Sequence, residues 1–152
     1  MRIGNIDVID LRSRYPSNYA PRELSLINSL SIHHSVNRNM PVYSSTSEEI
    51  RELDLIHAYH KGKFRGIAYP LVVFPSGNQY LTGDWDSIRY VVGGQGNVYT
   101  LSVLLHGTFI DEDPGQIQLE STQELLDNVR MELMKPQIPL YGHKDFVRLY
   151  PN

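Results

Sequence analysis

Leu30-Ser31-Ile32-His33-His34-Ser35 alternates apolar and small polar residues and then runs into two imidazoles. Period-two alternation marks a strand, and a strand whose last residues turn polar ends at a cleft rather than inside a core. The spacing predicts a buried strand over Ile27 to Ser35. Neighbours on a strand point to opposite faces, so His33 and His34 are expected to look to opposite sides. Val36 to Ser45 is polar and carries Pro41, which predicts a loop at the functional end of that strand.

Working outward, Thr46-Ser47-Glu48-Glu49 has the spacing of a capping box, in which a hydroxyl and a carboxylate three residues on satisfy free N–H groups. A helix from about Ser47 to Lys61 follows, with Ile50, Leu53, Ile56 and Tyr59 or His60 on its buried face and Gly62 as its stop. Tyr69 to Phe74, the turn Pro75-Ser76-Gly77-Asn78, and Gln79 to Thr82 read as a hairpin. Residues 83 to 98 read as loop; their glycine cluster, Gly93-Gly94-Gln95-Gly96, lacks the spacing of a dinucleotide fingerprint. Thr100 to His106 is a strongly apolar strand expected near the centre of a sheet, and Asp111 to Gly115 a surface loop. A second capping box at Ser121-Thr122-Gln123-Glu124 opens an amphipathic helix to about Lys135, using Leu125, Leu126, Val129 and Leu133. Pro136 and Pro139 then break the chain before Leu140 to Asp145. Residues 1 to 26, with Pro16 and Pro21 and weak periodicity, are expected as an extended arm packed on the domain. This order fits an α/β fold, a single domain with a central mixed β-sheet flanked by α-helices.

At 152 residues and 41% hydrophobic, the chain has the size of one compact domain that buries a core without disulfides. A formal net charge of -3 without a long run of one sign argues against a polyanion-binding surface, so no nucleic acid partner is expected. There is no cysteine, which removes disulfides and thiolate metal ligands within the given chain. Met1 to Asp7 lacks the basic start and apolar core of a signal peptide, and no stretch approaches the ~20 apolar residues of a bilayer span. A soluble protein made in the cytoplasm, without a membrane partner, is the expectation.

The six histidines are His33, His34, His57, His60, His106 and His143. A single histidine is more often hydrogen-bonded or exposed than a ligand, so only a constellation carries weight. His57 and His60 stand three apart on a helix, a spacing that can bind metal, but no third ligand lies nearby in sequence. His57 is read as facing water, and His60 stays open on this ground. His33 at a strand end and His143 after a glycine occupy places where backbone aims an imidazole into a cleft.

In order along residues 28 to 146, the chain carries Ile32-His33-His34-Ser35, His60 with Arg65-Gly66-Ile67-Ala68-Tyr69, Ser76-Gly77, Asn97 ahead of Leu101 to Gly107 with Phe109, and Gly142-His143-Lys144-Asp145. This set resembles the zinc-dependent N-acetylmuramoyl-L-alanine amidases of type 2, a family that includes phage lysozyme-like amidases and the peptidoglycan recognition proteins. The resemblance implies one amidase type 2 domain over residues 1–152. It implies Zn²⁺ held by two histidines, His33 and His143 here, and by a third Cys or Asp, with water in the fourth position. Tyr69 matches the tyrosine beside the metal-bound water; its alternative is a core or hairpin-edge tyrosine. His106 stands just before a glycine where some relatives place a catalytic carboxylate, which makes it a candidate acid/base group. His34, His60 and Asn97 are expected in substrate binding, and Asp145 in orienting its loop rather than in ligation.

The implied reaction is hydrolysis of the amide between N-acetylmuramic acid and L-alanine in peptidoglycan. Zinc lowers the pKa of its water to about 7, so such a site attacks an amide at neutral pH. The expected partner is a muropeptide and the expected state a monomer, as in an antimicrobial phage lysin or a released cell-wall hydrolase. The chain departs from the family at Pro70, where relatives carry histidine, and it ends at Leu149-Tyr150-Pro151-Asn152, before the Thr-x-Cys-Pro-Gly-like segment that holds the third ligand. Either the sequence is cut before that segment, or the metal uses Asp145, water or nothing. The alternatives are a peptidoglycan-binding module without catalysis and a phage structural component with the same fold.

Overall fold

The computed structural model describes residues 1–35 and 38–142. Among these residues eight strands, β1 (Arg2–Ile3), β2 (Ile6–Asp7), β3 (Ile9–Asp10), β4 (Ser29–His34), β5 (Leu71–Val73), β6 (Gln79–Leu81), β7 (Thr100–Leu105) and β8 (Leu140–Gly142), accompany three α-helices, α1 (Thr46–Lys63), α2 (Gly96–Tyr99) and α3 (Gln116–Glu132). Strands β1 and β2 form a separate antiparallel pair, and the rest make one mixed sheet in the order β3-β6-β5-β7-β4-β8. Among the described residues only β5 and β6, the expected hairpin, pair antiparallel within it. The fold class expected from the sequence is the one observed.

The sheet buries both faces. Leu30, Leu71, Val73, Leu101, Val103 and Leu105 pack against Leu125, Leu126 and Val129 of α3. Val72, Phe74, Tyr80 and Leu104 pack against Leu53 and Ile56 of α1. Strand β7 is buried at every position, which is why its sequence is a near-continuous apolar run. Among the described residues, no helix is long and apolar enough to cross a membrane.

Element boundaries differ from the sequence reading where a polar side chain is already in use. The cap of α1 is Ser45, whose Oγ accepts the Glu48 N–H while the Glu48 carboxylate accepts the Ser45 N–H. Glu49, the partner a cap at Thr46 would need, is wholly buried and accepts from Ser44, Ser76, Asn78 and Tyr80 instead. Gly62 lies inside α1, and the chain turns at Gly66, where φ is 132°. Helix α3 starts at Gln116, ahead of the expected cap, because Ser121 Oγ donates to the Gly77 carbonyl and buried Gln118 donates to the carbonyls of Val73 and His106. The N-terminal arm also contributes sheet: Ile9 and Asp10 pair with Tyr80 and Leu81.

Candidate functional site

A groove crosses the C-terminal end of β4, and its two lobes share His34 and Tyr69. One lobe, about 590 Å³, is walled by Ile32, His33, Leu105, Phe109, Pro114, Leu119 and Gly142. The other, about 330 Å³, is walled by Ser35, Leu55, Ile56, Tyr59, His60 and Leu104. A separate cavity of about 270 Å³ between β1, Trp85 and the end of α3 has no histidine in its wall.

His33 and His34 alternate as expected, but at the strand end both reach the groove. Buried His33 sets its ring 5.3 Å from that of Tyr69 and its Nε2 3.3 Å from Ser31 Oγ. Exposed His34 accepts the Phe109 N–H on Nδ1 at 3.1 Å. His60, from the last turn of α1, accepts the Ala68 N–H on Nδ1 at 3.0 Å and lies 5.8 Å from the Tyr69 ring. Burial pushes the His60 imidazole down to about 4, with the nearby charges of His57 and Lys63 adding to the shift. His60 is therefore neutral at pH 7, and with Nδ1 occupied its proton sits on Nε2 as a hydrogen-bond donor. Burial pushes the Tyr69 phenol upward, so it too stays protonated and able to donate. The hydroxyl of Thr82 fixes the Tyr69 carbonyl at 2.5 Å.

His33, His34, His60 and Tyr69 are thus brought together; His106 and Asn97 are not. His106 is wholly buried, stacked on Phe74 at 4.4 Å, with Nε2 3.8 Å from Glu52 Oε2, which is too long for a hydrogen bond. Burial pushes its imidazole down to about 4. Asn97 spends its Oδ1 on the N–H groups of Val91, Val92 and Gly93 and so holds a loop together. His57 is half-buried against Tyr15 rather than wholly in water. His143 and Asp145 lie outside the described residues; Gly142, which pairs opposite Ile32, lines the groove.

The sequence reading did not pick out Leu119 or Asn39, and it offered Tyr59 as an alternative to His60 on the buried face of α1, whereas Tyr59 is 65% exposed. Tyr59 and Leu55 stand four apart on α1 and remain exposed on the groove side. Such an i, i+4 apolar pair beside the expected core stripe is the signal that finds them. Among the described residues, no group of three or more His, Cys, Asp or Glu stands ready to hold a metal ion. Of the two histidine ligands that the resemblance implies, the described residues contain His33 alone, a buried imidazole facing the groove.

No protein-family model matches the sequence, and no curated protein matches it. Solved structures do. The PGRP-SA structure of Apis mellifera superposes with a TM-score of 0.79 at 17% identity, over 95% of this chain and 96% of that one. Human PGRP-IβC in complex with glycosamyl muramyl pentapeptide gives 0.76 at 22%, over 95% and 89%. The endolysin N-acetylmuramoyl-L-alanine amidase LysCS of Clostridium intestinale gives 0.67 at 22%, over 91% and 82%. The chain has the fold these proteins share, as its motif order implied, and the fold is common to peptidoglycan recognition proteins and an amidase.

Proposed function

We propose, on the premise of that shared fold, that this chain binds the muropeptide portion of peptidoglycan in the groove at the end of β4 and hydrolyses the amide between N-acetylmuramic acid and L-alanine when loaded with zinc. One observation supports this above the others: His33, His34, His60 and Tyr69, drawn from separate parts of the sequence, meet at one groove. In an open sheet whose strands run mostly parallel, the carboxyl ends of the strands are where ligands bind. His33 suits zinc in type and burial, and His143 is proposed as the second ligand. Zinc held there would supply Lewis acidity to the scissile carbonyl. In this reading the protonated Tyr69 phenol would donate to an oxygen that gains charge, and His60 Nε2–H would hold a polar group of the substrate. Phe109 and Leu119 form an apolar wall on one side of the groove.

A second function, recognition without hydrolysis, is favoured by the donor set, since the chain has no cysteine and its described residues gather no three ligands. One experiment separates the two. Purified peptidoglycan is incubated with the chain, with zinc added or removed by chelator, while sedimentation scores binding and end-group analysis scores new L-alanine amino termini. Cleavage only with zinc supports the amidase; binding without cleavage supports recognition. If the chain neither sediments with peptidoglycan nor cleaves it, both functions fail.

A further inference from the structure

Gly107, Thr108 and Phe109 follow β7, and their successive main-chain N–H groups are each received by a side chain from the exit of β4. Ser35 Oγ takes Gly107 at 2.9 Å, Asn39 Oδ1 takes Thr108 at 2.7 Å, and His34 Nδ1 takes Phe109 at 3.1 Å. The backbone here has no slack: at Gly107, with φ 137°, an added Cβ would stand 2.6 Å from both Asn39 Oδ1 and the Phe109 ring. The ring so held forms the wall of the larger lobe with Leu119 and Pro114. Of the three acceptors, His34 alone lines both lobes, so the hold on the wall and the ligand space meet in one side chain.

We propose that His34 is a positioning residue, whose Nδ1 fixes the Phe109 loop as the wall of the groove and thereby sets affinity for the ligand lying against it. This rests on the groove being a muropeptide site, and its role differs from a direct substrate contact. Because Nδ1 accepts a main-chain N–H, the ring's own proton lies on Nε2. The two ring nitrogens therefore separate by substitution. In His34→Asn the amide oxygen replaces Nδ1 and keeps the hold on the loop; in His34→Gln the amide group reaches toward the Nε2 position and loses it.

The test uses the full chain, following amide hydrogen exchange at Phe109 by NMR and affinity for N-acetylmuramoyl-L-alanyl-D-isoglutamine by calorimetry. His34→Gln is expected to speed exchange at Phe109 by about 3- to 10-fold, the span of one net hydrogen bond, and to weaken binding by a similar factor. His34→Asn is expected to keep exchange at Phe109 near wild type and to weaken binding less than His34→Gln does. Unchanged exchange in His34→Gln overturns the proposal. So does protected exchange in His34→Asn together with a loss of binding as large as in His34→Gln, which would make His34 a direct contact. If the wild-type chain does not bind the muropeptide, the proposed function fails by itself, while the exchange pattern still decides whether His34 holds the loop.

Discussion

Glu49 is wholly buried and accepts four hydrogen bonds: from Ser44 Oγ at 2.7 Å, Ser76 Oγ at 2.5 Å, Asn78 Nδ2 at 2.7 Å and the Tyr80 hydroxyl at 2.7 Å. Burial and this carboxylate together push the Tyr80 phenol upward, so it remains a donor. Glu49→Ala would strand those donors around a cavity and is expected to cost about 3–5 kcal/mol, read from urea unfolding. Glu49→Gln keeps one acceptor oxygen and the volume, so its loss is expected to be smaller; a Glu49→Ala variant as stable as the wild type would show that the bonds contribute little. His33 tests the chemistry rather than the scaffold. His33→Ala is expected to abolish zinc uptake, measured by equilibrium dialysis with metal analysis, while circular dichroism shows the fold retained. A variant that keeps its zinc removes His33 from the ligand set.

Capping is decided between adjacent hydroxyls. Ser45→Ala is expected to lower stability by about 1 kcal/mol, because Ser45 Oγ receives the Glu48 N–H at 3.2 Å, whereas Thr46→Ala is expected to change little. The reverse order in thermal melts would return the cap to Thr46. The hairpin and β7 are legible in the sequence for physical reasons: Pro75-Ser76-Gly77-Asn78 spells a turn, with φ 91° at Gly77, and a strand covered on both faces has to be apolar throughout. Helix starts are less legible, since Ser121 and Glu49 suit a cap equally well but are occupied by partners distant in sequence. Strand β3, two residues long, is too short for any periodicity to show. Motif order names His33, His34, His60 and Tyr69, which the fold gathers at one groove, together with Asn97 and His106, which stand outside it. What those two do depends on loop hydrogen bonds and on core packing, and neither is written in residue type or spacing.

For the molecule as a whole, burial makes stability depend on pH through its imidazoles, His106 and His60 most strongly and His57 in the same direction. Burial lowers both His106 and His60 to about 4 from an ordinary 6.5. Between those values the unfolded chain binds more protons than the folded one, so stability rises with pH across the window and falls on acidification. Above pH 6.5 both states are neutral at these sites and the dependence is gone; below about 4 both are charged and no further loss accrues. For His106, with no exposed surface, the full shift amounts to about 3 kcal/mol, of which about 2 kcal/mol is lost by pH 5. His60 acts in the same direction. His106→Leu removes one of these titrations, keeps an apolar contact for Phe74, and deletes two ring nitrogens that have no hydrogen bond. It is expected to leave stability at pH 7 unchanged or higher, and to flatten the profile between pH 6.5 and 4 in urea unfolding. A profile as steep as that of the wild type would mean that the core tolerates a charged His106, paired with Glu52 3.8 Å away, and that acid sensitivity arises elsewhere in the molecule.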